Sequence, residues 1–428
     1  MADILLIGAT GYSGRATARY LLSHPERNTF TLALAARSRT KLENSGLKID
    51  ENVRVFVFDL TDEAELEAAV RQVKVVVNAA GPYCRTGSPV VSACARNGVH
   101  YVDIAGERSW IFDIIQQYDY VATTHHAIIV PACGFDSVPS DIVVYAANKT
   151  LKAHDPAAEI ETSASAVEFK GAAAGGTFAT VIAAFEEVPR FLMELANKPY
   201  ALSPVRGTPY PRFRWTYALP YPLNFIKGGY WLMASTNRGI VERTWGLQQY
   251  ALESTSPGAV AGRDPLLAYG RKFTYDEFMR TSGTISAFFL SLAVAFGGVS
   301  LALFSPLRWL FERIVTQPGS GPSEQELKGG SFTLTNLSVS ISPPASSPAY
   351  VRTVVRGPGP LLFSNFALAE SALCLLNPAS LPGLAQNGGI LTPMSAFGDV
   401  LIERLEQRGL VSIESAIITG EEEAKKTR

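Results

Sequence analysis

Apolar residues in the first third of the chain fall into short runs, each ended by a glycine or a polar residue. The first run, Asp3 to Ile7, stops at Gly8. Similar runs recur at Thr31 to Ala36, Val53 to Phe58, Val75 to Val77, His100 to Asp103 and Ala127 to Pro131. Between them the segments Arg15 to Leu22, Asp62 to Val70, Gly87 to Asn97 and Glu107 to Thr123 read as helices. Strand and helix alternate six times, which predicts an α/β protein. Its core is a Rossmann-type doubly wound parallel sheet over residues 1–141.

The pattern then changes. Strands are expected at Ile160 to Phe169, Thr236 to Trp245 and Phe332 to Ile341, and a helix over Phe178 to Leu195. That helix carries Val181, Ile182, Phe185, Val188, Phe191 and Leu192 at helical spacing, a stripe suited to a core. Proline and aromatic residues crowd 199–231, where Trp215 and Trp231 stand among Pro204, Pro209, Pro211, Pro220 and Pro222. A long irregular segment is a lid, a binding loop or an insertion. Residues 142–364 are thus expected to form a second α+β domain for substrate binding or dimerisation. Residues 365–428 are expected to return helices to the first domain. There Thr392 and Pro393 look like the start of a helix with Met394, Phe397, Val400, Leu401 and Leu405 on one face, closed by Gly409. The final Glu421 to Arg428 is a charged, solvated tail.

One stretch breaks the soluble pattern. Residues 281–307 contain no charged side chain and lie between Arg280 and the pair Arg308 and Arg313. The length suffices for a membrane-spanning helix. A crossing would separate the 388–405 region from the sheet it is expected to complete. The preferred expectation is a segment bent at Gly297-Gly298 that lies on a membrane or lipid-droplet surface. A core helix or a homodimer contact is the alternative.

Chemistry enters at the first turn. Gly8, Thr10, Gly11, Tyr12, Ser13 and Gly14 lie between a buried-type strand and a helix. Glycines there let the backbone approach a pyrophosphate, and the helix start offers free N–H groups to it. The second strand ends in Arg37, Ser38 and Arg39 rather than in an acid, which suits a 2′-phosphate and selects NADP(H). Asp59, after the third strand, faces the adenine or caps the next helix. Asn78, Ala79, Ala80, Gly81 and Pro82 follow the fourth strand, where small residues leave room for the nicotinamide ribose.

Composition narrows the class further. The net charge of -1, from 38 basic and 39 acidic residues, removes the basic excess of a nucleic-acid binder. Cys84, Cys94, Cys133 and Cys374 show no CxxC spacing, and the five histidines no metal-ligand spacing. No metal is expected. The start of the chain has no export signal, and an intracellular setting follows, on the cytoplasmic face of a membrane or lipid droplet or in the soluble cytoplasm.

The segments GATGYSG (8–14), NAAGPYCRTGSPVVSACARNGVHYVDIAGE (78–107) and CGFDSVPSD (133–141) resemble the saccharopine dehydrogenase-like oxidoreductases, in the trans-acting enoyl reductase branch. Gly175-Gly176-Thr177, Gly319 to Glu324 and GGILTPMSAFGDVLIERL (388–405) extend the resemblance over nearly the whole chain. It implies an NADPH-dependent oxidoreductase, with Cys133, Gly134 and Phe135 beside the cofactor. The expected reaction is hydride transfer to an enoyl- or enone-type substrate that is lipophilic or polyketide-like. Tyr83 is the first candidate for the donor to a developing enolate, or else a packing aromatic. Asp136 and Ser137 come next, although Asp136 could cap the helix beginning near Val138 and Cys133 could simply pack. Reduction of a C=N bond is the rival chemistry. It would call on cations such as Lys170, Arg190, Arg206, Arg212, Arg214 or Arg238 to hold substrate carboxylates. A non-catalytic NADP(H)-binding protein on a lipid surface is the rival outside enzymology.

Overall fold

The computed structural model describes residues 2–171, 186–211, 213–254, 262–304, 329–341 and 347–419, with a few isolated residues between them. The expectations for Gly175 to Thr177, most of Phe178 to Val188, Arg212, Arg308, Arg313, Gly319 to Glu324 and the charged tail lie outside the described residues.

Strand β1 (Ala2–Ile7) is apolar on both faces, and Ile4, Leu5 and Leu6 are fully buried. A strand of that kind needs helices on each side of its sheet. It pairs in parallel with β2 (Leu32–Ala36) and β4 (Val73–Asn78); β3 (Arg54–Val57), β5 (His100–Asp103) and β6 (Ile128–Val130) extend the sheet on either side. The order β6-β5-β4-β1-β2-β3 reverses direction between β1 and β4, the switch point of a doubly wound fold. Helices α1 (Tyr12–Leu22), α2 (Arg39–Glu43), α3 (Glu63–Val70), α4 (Tyr83–Asn97) and α5 (Arg108–Thr124) connect these strands. Helix α6 (Val138–His154) then leads into the second layer.

The second sheet is mixed. Its strands are β7 (Ile160–Lys170), β8 (Tyr217–Ala218), β9 (Lys227–Tyr230), β10 (Thr274–Arg280), β11 (Ser331–Ser340), β12 (Tyr350–Pro358) and β14 (Ser412–Ile418), in the order β14-β12-β11-β7-β10-β9-β8. The C-terminal segment serves both sheets. Strand β13 (Gly389–Ile390) pairs with β6 in the first, whereas β14 pairs with β12 in the second. Between them, the buried Glu370 of helix α10 (Pro360–Cys374) accepts from Tyr20 Oη at 2.5 Å, His24 at 3.0 Å and Arg404 Nε at 2.7 Å. This cluster ties the end of the chain to α1.

Three expectations need correction. Thr236 to Trp245 is not a strand but the middle of helix α8 (Ala234–Glu253). Asn237, Arg238, Glu242, Arg243 and Thr244 are all buried, so no apolar stripe marks the helix. Their partners come from other elements: Arg243, for example, donates to the carbonyls of Ile390 and Leu202 at 3.0 and 2.6 Å. The helix expected over Phe178 to Leu195 does not run through its described end. It restarts after Pro189 as α7 (Arg190–Ala196), with Pro189 at the cap and in extended conformation. The helix expected from Thr392 to Arg408 is two, α11 (Pro393–Ala396) and α12 (Asp399–Gln407). Gly398, at φ +50°, turns the chain between them.

The uncharged segment forms one helix, α9 (Thr284–Leu303), which continues through Gly297 and Gly298. It is not a core helix. Phe289, Phe296, Val299 and Leu303 are all more than half exposed.

Candidate functional site

Three loops at the carboxyl edge of the first sheet converge on the switch point. After β1, Gly8 takes φ +82°, and a Cβ on it would lie 3.0 Å from Ala79 C and Ala80 N. The turn after β1 therefore presses against the loop after β4. A Cβ on Gly14 would stand 2.1 Å from the Gly8 carbonyl oxygen, so only glycine lets α1 start this close to the turn. Gly11 caps α1 in extended conformation and makes no side-chain cap hydrogen bond. Thr10, Tyr12 and Ser13 are half-buried around it. This cradle fits a dinucleotide pyrophosphate: a tight backbone turn with no side chain on its glycines, and a helix dipole aimed out of it.

The loop after β4 is built from within. Asn78 is fully buried, accepts from Ala80 N at 3.0 Å and donates to Tyr101 Oη at 3.2 Å. Ala79, Ala80 and Pro82 are half-buried and Gly81 is exposed, leaving this loop open beside the glycine turn. Glu107 accepts from the backbone N–H groups of Tyr83 and Cys84 at 2.6 and 2.7 Å and so caps α4. Tyr83 itself is buried. Its hydroxyl donates to the Asn78 carbonyl at 2.9 Å and accepts from Ile104 N at 3.3 Å. Burial first, then the Asp103 carboxylate, raises its pKa well above the usual tyrosine range. In this arrangement the hydroxyl braces the loop.

Around the second strand, Arg37 is exposed, Ser38 accepts from Lys41 N at 3.3 Å as the cap of α2, and Arg39 opens that helix. Asp59 is exposed and accepts from Thr61 N and Oγ1 at 3.0 and 2.8 Å, while Asp62 caps α3.

The loop after β6 joins the two sheets. Cys133 is fully buried, and its thiol donates to Val130 O at 3.3 Å. It packs within the hydrophobic core. A Cβ on Gly134 would meet Ser364 Oγ at 3.2 Å, and Phe135 N donates to that same oxygen at 2.9 Å. The Phe135 ring lies edge-on to Phe332 at 5.0 Å and Phe169 at 5.8 Å, and Trp231 lies 5.5 Å beyond Phe169. Ser137 is buried and donates to Asn237 Oδ1 at 3.3 Å.

Asp136 has a different setting. With Phe135, Pro139, Ser140, Val167, Trp231, Asn237, Glu277, Phe332 and Leu334 it lines a narrow cleft of about 10 Å³, room for about one water, between the first sheet and the second. Its Oδ2 lies 3.9 Å from the position of a Cβ on Gly106, in the loop after β5. Burial, and secondarily the Glu277 carboxylate, push its carboxyl up to about 7. Glu277 on β10 is fully buried and accepts from Ser140 Oγ at 2.6 Å, Tyr275 Oη at 2.7 Å and Asn237 Nδ2 at 2.7 Å. Burial raises Glu277 as well, against the pull of those three donors. Two carboxyls with raised pKa thus share an aromatic cleft. Sequence reasoning reached Asp136 and Ser137 but missed Glu277, Asn237, Ser140 and Tyr275. The only local signal was the alternation of Tyr275 and Glu277 on one strand face. A separate hollow lined by Lys74, His100 and Leu375 lies at the opposite, amino edge of the first sheet.

A parallel sheet with this strand order, a glycine cradle under its first helix and a cleft against a second sheet together define a pyridine-nucleotide oxidoreductase. Residues 4–160 match the family model described as the saccharopine dehydrogenase NADP binding domain. A Mycobacterium tuberculosis protein named trans-acting enoyl reductase is 31% identical over 429 residues, covering 96% of each chain. A Mycobacterium leprae protein of the same name is 30% identical over 434 residues, again covering 96% of each. Among solved structures, apo saccharopine dehydrogenase (L-Glu forming) from Saccharomyces cerevisiae covers 98% of this chain and 100% of its own, at a TM-score of 0.49 and 12% identity. The chain belongs to the saccharopine dehydrogenase-like oxidoreductase family, in its trans-acting enoyl reductase branch. It is an NADP-dependent oxidoreductase.

Proposed function

We propose that this oxidoreductase reduces the C=C bond of an enoyl- or enone-type lipophilic substrate at the narrow Asp136–Glu277 cleft, which must open to admit it. The observation that carries the reading is the lining of that cleft. It is aromatic and aliphatic, bears two carboxyls, and has no Lys or Arg among its described residues. A dicarboxylic imine would meet like charge there. Arg238, a candidate anchor for such a substrate, is buried and paired with Asp276 at 2.5 Å. NADPH, when bound, would supply the hydride for the β-carbon. Asp136, in its neutral form, gives its proton to the α-carbon and takes one back from solvent after the product leaves. The apolar wall of Phe135, Trp231 and Phe332 excludes water and orients the chain of the substrate.

NADPH oxidation in the presence of a long-chain enone, an enoyl thioester and a dicarboxylic imine tests the reading. Turnover with the first two and none with the third is expected. Turnover with the imine alone would overturn it, and NADPH binding without turnover on any of them would favour a non-catalytic role.

The same reading assigns Arg37 to the 2′-phosphate. A charge-assisted contact of this kind contributes about 1.5–3 kcal/mol. Arg37→Ala should therefore weaken NADPH about tenfold or more and leave NADH unchanged, as read by fluorescence titration. An unaltered ratio of the two affinities would remove Arg37 from the site.

A further inference from the structure

From the exposed part of α9 and the aromatic residues at its base, we infer that this protein docks on a phospholipid leaflet, with α9 buried in the acyl chains. The base of the helix is seated on protein. Ala287 and Ser291 are fully buried, Ser291 Oγ accepts from Tyr230 N at 2.8 Å, and a Cβ on Gly229 would lie 2.5 Å from Ala287 O. Above that seat the support ends. From Leu292 to Leu303 no described residue is buried, and nothing lies within 4 Å of where Gly297 and Gly298 would carry a Cβ.

Helix α9 carries no charged side chain, and its exposed large residues, among them Phe289 at 61%, Phe296 at 73% and Val299 at 56%, lie on one face opposite the seated Ala287 and Ser291. A continuous apolar face with no charged rim suits the acyl region of a leaflet. At about 1.5 Å per residue, the unsupported stretch is about 18 Å long, enough for one leaflet of a hydrocarbon layer about 30 Å thick but not for both. The topology rules out a full crossing. Strand β10, before α9, and strand β11, after it, pair with the same strand β7. The chain must therefore leave and return on one side.

The base has the composition of a membrane interface. Trp215 lies 5.7 Å from Phe288, Phe213 lies 5.0 Å from Trp215, and Tyr230 lies 5.3 Å from Phe213. Lys227 Nζ donates to Thr284 Oγ1 at 3.0 Å, placing a cation where the helix emerges. The next residue after β9 is Trp231, in the wall of the Asp136 cleft. The aromatic path thus runs from α9 to the cleft, and a lipophilic substrate would pass along it without entering water. Only this last step rests on the reductase reading; the docking stands on the geometry of α9.

The test is flotation of the full-length protein with phosphatidylcholine vesicles, beside a Phe296→Asp/Val299→Asp variant. Both substituted side chains are exposed and lie away from the cofactor cradle and the cleft, so NADPH affinity reports whether the variant is folded. The wild-type protein is expected to float. The variant should float at least tenfold less, with NADPH affinity unchanged and with turnover retained on a short, water-soluble enone. Failure of the wild type to float, or equal flotation of the variant, would overturn the proposal. So would a dimer that the variant dissociates while neither protein floats, which would make α9 an interface between copies. Protease protection of one terminus but not the other would also overturn it. If flotation holds while enone turnover fails, the docking stands and the reductase reading falls.

Discussion

Gly14→Ala is expected to lower NADPH affinity by about a hundredfold, close to 3 kcal/mol of binding. The added Cβ would stand 2.1 Å from the Gly8 oxygen and 2.7 Å from the Gly8 carbon. Both are backbone atoms and cannot rotate away. Either α1 retreats from the turn, or Gly8 leaves its contact with Ala79 and Ala80. Each response displaces the amides that would bind the pyrophosphate. Overpacking of this kind also costs about 1–3 kcal/mol of stability, so the melting temperature should fall by several degrees. Gly11→Ala is the control. Its Cβ would meet the Gly8 oxygen at 3.3 Å, and its extended backbone tolerates a side chain. A few-fold loss is expected there. If the two substitutions bind NADPH alike, close packing at Gly14 is not what shapes the cradle.

Asp136→Asn should lower turnover by about 10²- to 10⁴-fold, the usual contribution of a positioned acid, while NADPH affinity stays within about twofold of the wild type. The amide keeps the size of the side chain but has no acidic proton to give. The pH profile follows from the direction of the shift. The carboxyl is raised to about 7, first by burial and then by Glu277. The neutral form is the donor, so activity should be full below pH 7 and decline as pH rises through that value. Glu277 is the charged group facing it, across the cleft on β10. Glu277→Gln removes that negative charge, so Asp136 should ionise more easily and the decline should begin at lower pH. A profile with no limb near neutrality, or an Asn variant of undiminished turnover, would place the proton source elsewhere.

The dinucleotide half was legible for a local reason. Strand β1, the turn and the start of α1 lie within about a dozen consecutive residues, and each makes its conformation plain by residue type. Gly8 needs a positive φ, Gly14 a missing side chain, and Ile4 to Ile7 burial on both faces. Helix α8 was misread because its polar residues are satisfied by distant partners. Arg243 bonds Ile390 and Leu202, and Thr244 donates to Asp141 at 2.7 Å. Periodicity shows where apolar residues repeat; it cannot show that an arginine will be buried by a carbonyl from another segment. The role of Tyr83 was undecidable for the same reason. Its place after β4 was evident, but whether its hydroxyl faced a substrate or the Asn78 carbonyl depended on how the loop closed.

By itself, then, the sequence determined the parallel sheet, the cofactor cradle, and the presence of an uncharged helix with nothing in its own composition to keep it in water. All three are properties of neighbouring residues. Tertiary structure alone decided that Asp136 would face Glu277, that Tyr83 would turn inward, and that α9 would stand on β9 instead of entering the core. Those outcomes join residues from β6, β9 and β10 across two sheets. Burial and charge at such a junction arise from the packing of segments that carry no mark of one another in the chain.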